Sequence, residues 1–209
     1  MHKLLYMMAS PRIERSYSLH IANAFVDAYR QYHPQDRIET INVFTTDLPS
    51  FDGPVINAKY AILHGQNATP QEKTSWQAVE KIIEEFTSFD KYVFAVPMWN
   101  FGIPYRLKHY IDLLVQPGYT FRVDPEKGYV GLVTGKKALV VYASGGQYTT
   151  PPGQDLDYQS RYIRAILNFI GITDIKELTM DDTLNADRNA TVERRNSLAD
   201  QARMLAKEF

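Results

Sequence analysis

Three short apolar runs set the strongest limit on the fold: KLLYMMA at residues 3–9, KYVFAVP at Lys91–Pro97 and KALVVYA at Lys137–Ala143. None alternates between polar and apolar positions. A strand with one wet face alternates, whereas a strand covered on both faces does not. Each run is followed by turn residues and then by a stretch of helical period. In the first of these stretches, residues 16–33, Leu19, Ala22, Phe25, Val26 and Tyr29 fall on one helical face. Buried strands that alternate with amphipathic helices predict a parallel sheet with helices on both faces.

The rest of the chain fits this rhythm. RIETINV at residues 37–43 alternates as an edge strand should. A polar connection with Pro49, Gly53 and Pro54 follows. TPQE at residues 69–72 reads as a capping box with proline at the first helical position, opening a helix that carries Trp76, Val79, Ile82, Ile83 and Phe86 on one side. Pro104 opens a helix to Leu114. Residues 115–136 are rich in glycine and proline and break the rhythm with β-prone pieces such as YTFRV, which suggests an excursion with a hairpin. A helix over 156–170, a strand over 175–180 and a last helix over 189–209 complete the chain. The expectation is one domain over residues 1–209: five parallel strands in the order 2-1-3-4-5, five helices, three layers. In that arrangement a ligand sits beyond the carboxyl ends of strands 1, 3 and 4.

Composition narrows the chemistry. The 209 residues include no cysteine, which excludes disulfides, thiolate nucleophiles and iron–sulfur clusters. The five histidines show no H-x-x-H spacing, so no metal site is expected. Net charge is -1 with both signs interspersed, which predicts no nucleic-acid partner. No apolar run approaches the ~20 residues of a membrane span, and the apolar start is too short for a secretory signal. A cytoplasmic protein with no membrane partner is the expectation.

Three loops then decide function. The first, ASPRIERSYS at residues 9–18, enters a helix N-terminus, where free N–H groups and the helix dipole favour an anion. It holds neither G-x-G-x-x-G nor a P-loop. Ser10, Ser16 and Ser18 offer hydroxyls instead, which suit one terminal phosphate monoester. Ser16 read alone is equally well a helix cap. The second, PMWNFGIP at residues 97–104, flanks the Asn100 amide with Trp99 and Phe101. Such a loop offers a flat ring both stacking surface and a hydrogen-bonding edge. Read singly, such an aromatic pair is more often packing. The third, ASGGQY at residues 143–148, pairs two glycines, so backbone can approach a ring closely; a plain turn is the simpler reading of that loop alone. A terminal phosphate, a spacer and a flat hydrogen-bonding polycycle together describe flavin mononucleotide (FMN). No side chain need act as an obligatory acid or base, so no catalytic residue is assigned.

These segments, SPRxxRSYS, PMWNF-x-IP and the serine–diglycine loop, resemble the FMN-dependent, NADH-linked azoreductases among the flavodoxin-like quinone reductases. The resemblance runs from the first strand to NFIGIT at residues 168–173. It implies that Ser10, Ser16, Tyr17 and Ser18 bind the FMN phosphate. Pro97, Met98, Trp99, Asn100 and Phe101 would lie along the ring, and Ala143, Ser144, Gly145 and Gly146 would meet it from the other side. It implies NADH or NADPH as reductant, and quinones and azo compounds as flat acceptors. It also implies a homodimer whose active site is completed by the second subunit. Tyr119, Phe121 and Tyr148 are candidate walls of the acceptor pocket. Two positions depart from the pattern: many relatives carry tyrosine at Trp99 and arginine at Ser144, which bears on substrate range. An FMN-binding carrier of single electrons is the alternative reading. Such carriers are often strongly acidic, and this chain is nearly neutral.

Overall fold

The computed structural model describes residues 1–67 and 69–209. Strands β1 (Lys3–Met8), β2 (Arg37–Asn42) and β3 (Lys91–Pro97) are followed by a two-stranded antiparallel hairpin, β4 (Phe121–Asp124) and β5 (Gly128–Gly131). Strands β6 (Lys137–Ala143) and β7 (Asp174–Met180) complete the main sheet. Its order is β2-β1-β3-β6-β7 with every pair parallel, the arrangement expected from the sequence. The helices are α1 (Tyr17–Tyr32), α2 (Gly53–Leu63), α3 (Pro70–Thr87), α4 (Tyr105–Leu114), α5 (Tyr158–Ile170) and α6 (Arg188–Glu208).

Successive side chains of a strand point to opposite faces, and both faces here are apolar. Leu4 and Tyr6 of β1 meet Leu19, Phe25 and Tyr29 of α1 and Ala202 and Ala206 of α6. Leu5 and Met7 face the other layer, with Val79 and Phe86 of α3, Leu107 and Tyr110 of α4, and Ile163 and Leu167 of α5. Burying each large apolar side chain contributes roughly 1.5–3 kcal/mol. At the amino-end rim a polar lock joins β3 to α1. Lys91 Nζ donates to the Tyr29 hydroxyl at 2.7 Å, and that hydroxyl donates to Asp36 at 2.6 Å.

The structure adds one helix to the five expected. α2 occupies the stretch read as a polar connection, where Gly53 and Pro54 suggested a turn. Proline lies in the first turn, where its missing N–H leaves no bond unmade. Only Val55 and Ala58 of α2 are buried, while Ile56, Tyr60, Ile62 and Leu63 are exposed, so no single apolar face marks it as a helix. The capping box at Thr69 and Glu72 forms as expected, with Glu72 N donating to Thr69 Oγ1 at 3.2 Å and Thr69 N to Glu72 Oε2 at 2.8 Å.

The excursion forms the hairpin that YTFRV suggested. Its place sets two of the candidate pocket residues apart from the three loops. α4 carries the chain from the carboxyl-end rim back to the amino-end rim, so residues 115–136 stand opposite the three loops. There Val133 N donates to Ile170 O at 2.8 Å. The Tyr119 hydroxyl donates to Glu80 at 2.5 Å and accepts from Trp76 Nε1 at 3.2 Å, while Phe121 packs against Phe169 and Tyr129. Within one chain neither Tyr119 nor Phe121 can wall a pocket at the other rim.

Gly131 seats this hairpin. A Cβ there would lie 2.3 Å from Gly171 N and 2.4 Å from Ile170 C, both backbone atoms that cannot swing aside. Gly131→Ala is expected to cost about 1–3 kcal/mol by overpacking. A urea denaturation curve with an unchanged midpoint would contradict this seating.

Candidate functional site

The first loop leaves β1 with Ala9 N donating to Ala95 O at 3.1 Å, then makes a 3-10 turn over Ile13–Arg15 before α1. Ser10, Ser16 and Ser18 are all buried, at 2%, 7% and 0% exposure, though each carries a hydroxyl. Their partners are distant. Ser16 Oγ accepts from Leu19 N at 3.4 Å and lies 3.2 Å from Ser18 Oγ, and Ser10 Oγ accepts from Arg12 N at 3.4 Å. Bonds of that length are weak. Ser16 is therefore the cap of α1, but a loosely held one. The first-turn N–H groups of Tyr17 and Ser18 have no intrahelical acceptor. Buried hydroxyls with poor partners, beside free N–H groups at a helix start, fit a phosphate, whose charge-assisted bonds would be stronger.

The second loop is a tight turn. Trp99 and Gly102 exchange both backbone bonds at 3.0 Å, and Asn100 and Phe101 between them have φ of 48° and 68°. Two positive φ values in a two-residue turn are the type I′ pattern. Asparagine tolerates this region, whereas phenylalanine is strained there, by about 1–3 kcal/mol. The strain is held at both ends: Met98 N donates to Ala143 O at 2.7 Å, and Phe101 O accepts from Tyr158 N at 3.1 Å. The turn leaves Trp99 and Phe101 37% and 42% exposed at the carboxyl-end rim. Trp99 leans on Phe44 and Tyr105.

The third loop is held by a fourth that the sequence reading did not assign. Residues 181–184, between β7 and α6, run beside Ser144–Gly145–Gly146. Thr183 N and Oγ1 both donate to Ser144 O, at 3.1 and 2.9 Å; Leu184 N donates to Gly145 O at 3.0 Å and Asp182 N to Gly146 O at 2.9 Å. The Ser144 hydroxyl donates to Gly146 O at 2.9 Å. The glycine pair lets two side chains lie close against this backbone. A Cβ on Gly145 would meet Leu184 Cδ1 at 2.9 Å, and one on Gly146 would meet the Tyr148 ring at 3.3 Å. Asp181 is 8% exposed; it accepts from Thr149 Oγ1 at 2.5 Å and lies 3.5 Å from Arg194. Only a break in period after Met180 could have signalled this strap.

A cleft of about 180 Å³ joins these segments. From the first loop Ser10, Ser16 and Tyr17 line it, with Arg12 and Arg15; from the second, Pro97, Met98 and Trp99; from the third, Ala143, Ser144 and Gly145. Thr183 and Leu184 close its fourth side. Ser18, Asn100, Phe101 and Gly146 are not part of this lining; Ser18 is buried, while Asn100 and Phe101 are exposed at the tip of the turn. Tyr148 packs edge-on to Phe101 at 6.0 Å between ring centres, so of the three pocket candidates it is the one placed at this rim. Among the described residues no histidine and carboxylate cluster could hold a metal ion.

A doubly wound sheet with buried hydroxyls and an aromatic turn at one rim defines an α/β protein with a cleft at the carboxyl ends of its strands. The family described as "Flavodoxin-like fold" matches residues 2–202. An FMN-dependent NADH:quinone oxidoreductase of Nitratidesulfovibrio vulgaris (strain DP4) is 44% identical over the full length of both chains. Among solved structures, an azoreductase from Bacillus anthracis str. Sterne has a TM-score of 0.92 at 28% identity, covering 100% of each chain. An FMN-dependent NADH-azoreductase from B. anthracis str. Ames Ancestor, solved in complex with FMN, has a TM-score of 0.88 at 30% identity, covering 99% of this chain and 100% of that one. The chain belongs to the flavodoxin-like family that includes the FMN-dependent NADH:quinone oxidoreductases.

Thr183→Val removes one of the two donors to the Ser144 carbonyl and keeps the shape. The expected result is a loss of about 1 kcal/mol of stability, with faster hydrogen exchange at Gly145 and Gly146. Unchanged exchange there would mean that residues 181–184 do not hold the third loop.

Proposed function

We propose that this protein is an FMN-dependent NADH:quinone oxidoreductase that also reduces azo compounds. The observation that carries the reading is the meeting of buried hydroxyls at the α1 N-terminus with the Trp99–Gly102 turn in one cleft. Full-length identity of 44% to a quinone oxidoreductase of that type supports it. Ser10, Ser16 and Ser18, with the N–H groups of Tyr17 and Ser18, would hold the FMN phosphate. The stretch Pro97 to Phe101 and the Ala143–Gly146 loop would hold the ring from two sides. FMN when bound supplies the two-electron relay between reduced nicotinamide and acceptor.

The chain's own part is placement and electrostatics. Backbone N–H groups of the Asn100–Phe101 turn are fixed by the Trp99–Gly102 bonds, so they need no reorganisation to face developing negative charge. Trp99 and Phe101 keep water from the space between two flat reactants. No side-chain acid or base is required, because solvent can supply protons. NADH, a proton and a quinone give NAD⁺ and a hydroquinone; cleavage of an azo bond to two amines consumes two NADH. NADPH, which carries the same nicotinamide, would serve as a second reductant. Reductant and acceptor occupy the same place in turn, a ping-pong order. A homodimer is supported by the exposed Trp99, Phe101, Tyr105 and Tyr158, and a second copy would offer Tyr119 and Phe121 the route to the cleft that their own chain denies them. The cytoplasm, where reduced nicotinamide nucleotides are abundant, is the compartment this chemistry requires.

The purified protein should show flavin absorbance that NADH bleaches and a quinone restores, with no other protein present. A carrier that needs a partner protein would not complete that cycle. Double-reciprocal plots at several quinone concentrations should be parallel, whereas intersecting lines would refute the shared place. Ser16→Ala with Ser18→Ala should weaken FMN binding by roughly tenfold or more, from the loss of charge-assisted bonds. Normal flavin retention in that variant would overturn the phosphate assignment.

A further inference from the structure

Beside the cleft, on the α1–α6 side, lies a second and larger pocket of about 410 Å³. Arg12 and Arg15 of the first loop and Arg188 and Arg195 of α6 line it, against a single acid, Glu14. Four arginines around one pocket are conspicuous in a chain of net charge -1. Among the described residues none of the four pairs with a carboxylate. By contrast Arg30, Arg37, Arg122, Arg164, Arg194 and Arg203 each sit against an acid. Arg195 bonds only to its neighbour Asn196. Burial, together with the positive charge of Arg195 and Arg203, pushes the His20 imidazole in this pocket below its ordinary value. The pocket is thus a positive depression with its guanidinium groups uncommitted.

Its walls say what reaches it. Arg12, Arg15, Ser16, Tyr17, Thr183 and Leu184 belong to both pocket and cleft. The proposed phosphate seat at Ser16 and Tyr17 therefore lies where pocket and cleft meet, and the arginine pocket opens beyond it to an anionic group of a molecule lying over the flavin. We propose that the arginine pocket binds the pyrophosphate of the nicotinamide dinucleotide while its reduced ring lies over the flavin at the mouth of the cleft. This rests on the flavin reading of the cleft and adds the place where the reductant is recognised. Planar guanidinium groups suit phosphate oxygens, which they can bind in pairs. A quinone or azo acceptor carries no such tail, so one cleft would distinguish its two substrates by a pocket that only one of them uses. Arg12, Arg15 and Arg188 are exposed and Arg195 is half-buried, so their attraction is screened by salt.

The test is the double variant Arg188→Ala with Arg195→Ala, since these two residues line the pocket and not the cleft. Calorimetry with ADP-ribose, which has the pyrophosphate but no nicotinamide, should show affinity reduced roughly tenfold or more. The KM for NADH should rise in step, and in the unaltered protein it should rise with salt. Turnover with 1-benzyl-1,4-dihydronicotinamide, which has no phosphate, should be unchanged, as should FMN content by absorbance. Unchanged ADP-ribose affinity would overturn the proposal. So would an equal loss with both reductants. Loss of FMN would assign the arginines to the flavin phosphate instead. The calorimetric arm works with or without flavin. A protein that takes up no FMN at all would sink the flavin reading and still leave the pocket to be decided.

Discussion

The ends of three parallel strands fall within two residues of one another, and the site depends on that. Met8 of β1 pairs with Ala95 of β3, and Pro97 at the end of β3 pairs with Ala143 at the end of β6. Each strand then has to hand the chain to a helix on one face or the other. Three such exits fall together at one rim, and each brings free backbone groups. The two apolar faces fix this register, because a slip of one residue would turn every side chain to the wrong layer. The core of the protein, remote from any ligand, is what makes the cleft.

Around that frame the loops divide the labour by chemistry. Buried serines and a helix start suit the first to an anion. A strained turn with two positive φ values makes the second a rigid aromatic tip. The third is bare backbone, fastened by the strap at residues 181–184 and packed under Leu184 and Tyr148. Rigidity comes from main-chain bonds and not from bulky side chains, so the upper surface stays open to flat molecules of different outline. A site of that kind suits broad acceptance of planar compounds.

Much of this was legible in the sequence. The runs at Lys91–Pro97 and Lys137–Ala143 declare doubly covered strands because no polar residue interrupts them. The serines before α1 and the PMWNF segment declare the cleft because hydroxyls and aromatics sit at strand exits. What stayed hidden was tertiary. α2 begins with glycine and proline and buries only two side chains, so local pattern reads it as a turn. The Thr183–Leu184 strap binds through backbone groups, which every residue carries. Tyr119 and Phe121 look like pocket aromatics, and only the direction of α4 puts them at the far rim. The arginines of the second pocket lie far apart in sequence, at residues 12, 15, 188 and 195, and nothing local joins them.

The most direct test of this account compares two ligands that differ by one phosphate. Protein freed of flavin is titrated with FMN and with riboflavin, following the quenching of flavin fluorescence. The account predicts one FMN per chain, bound at least about a hundredfold more tightly than riboflavin, because the α1 seat contributes several charge-assisted bonds. Equal affinity for the two, or no binding of either, would contradict it.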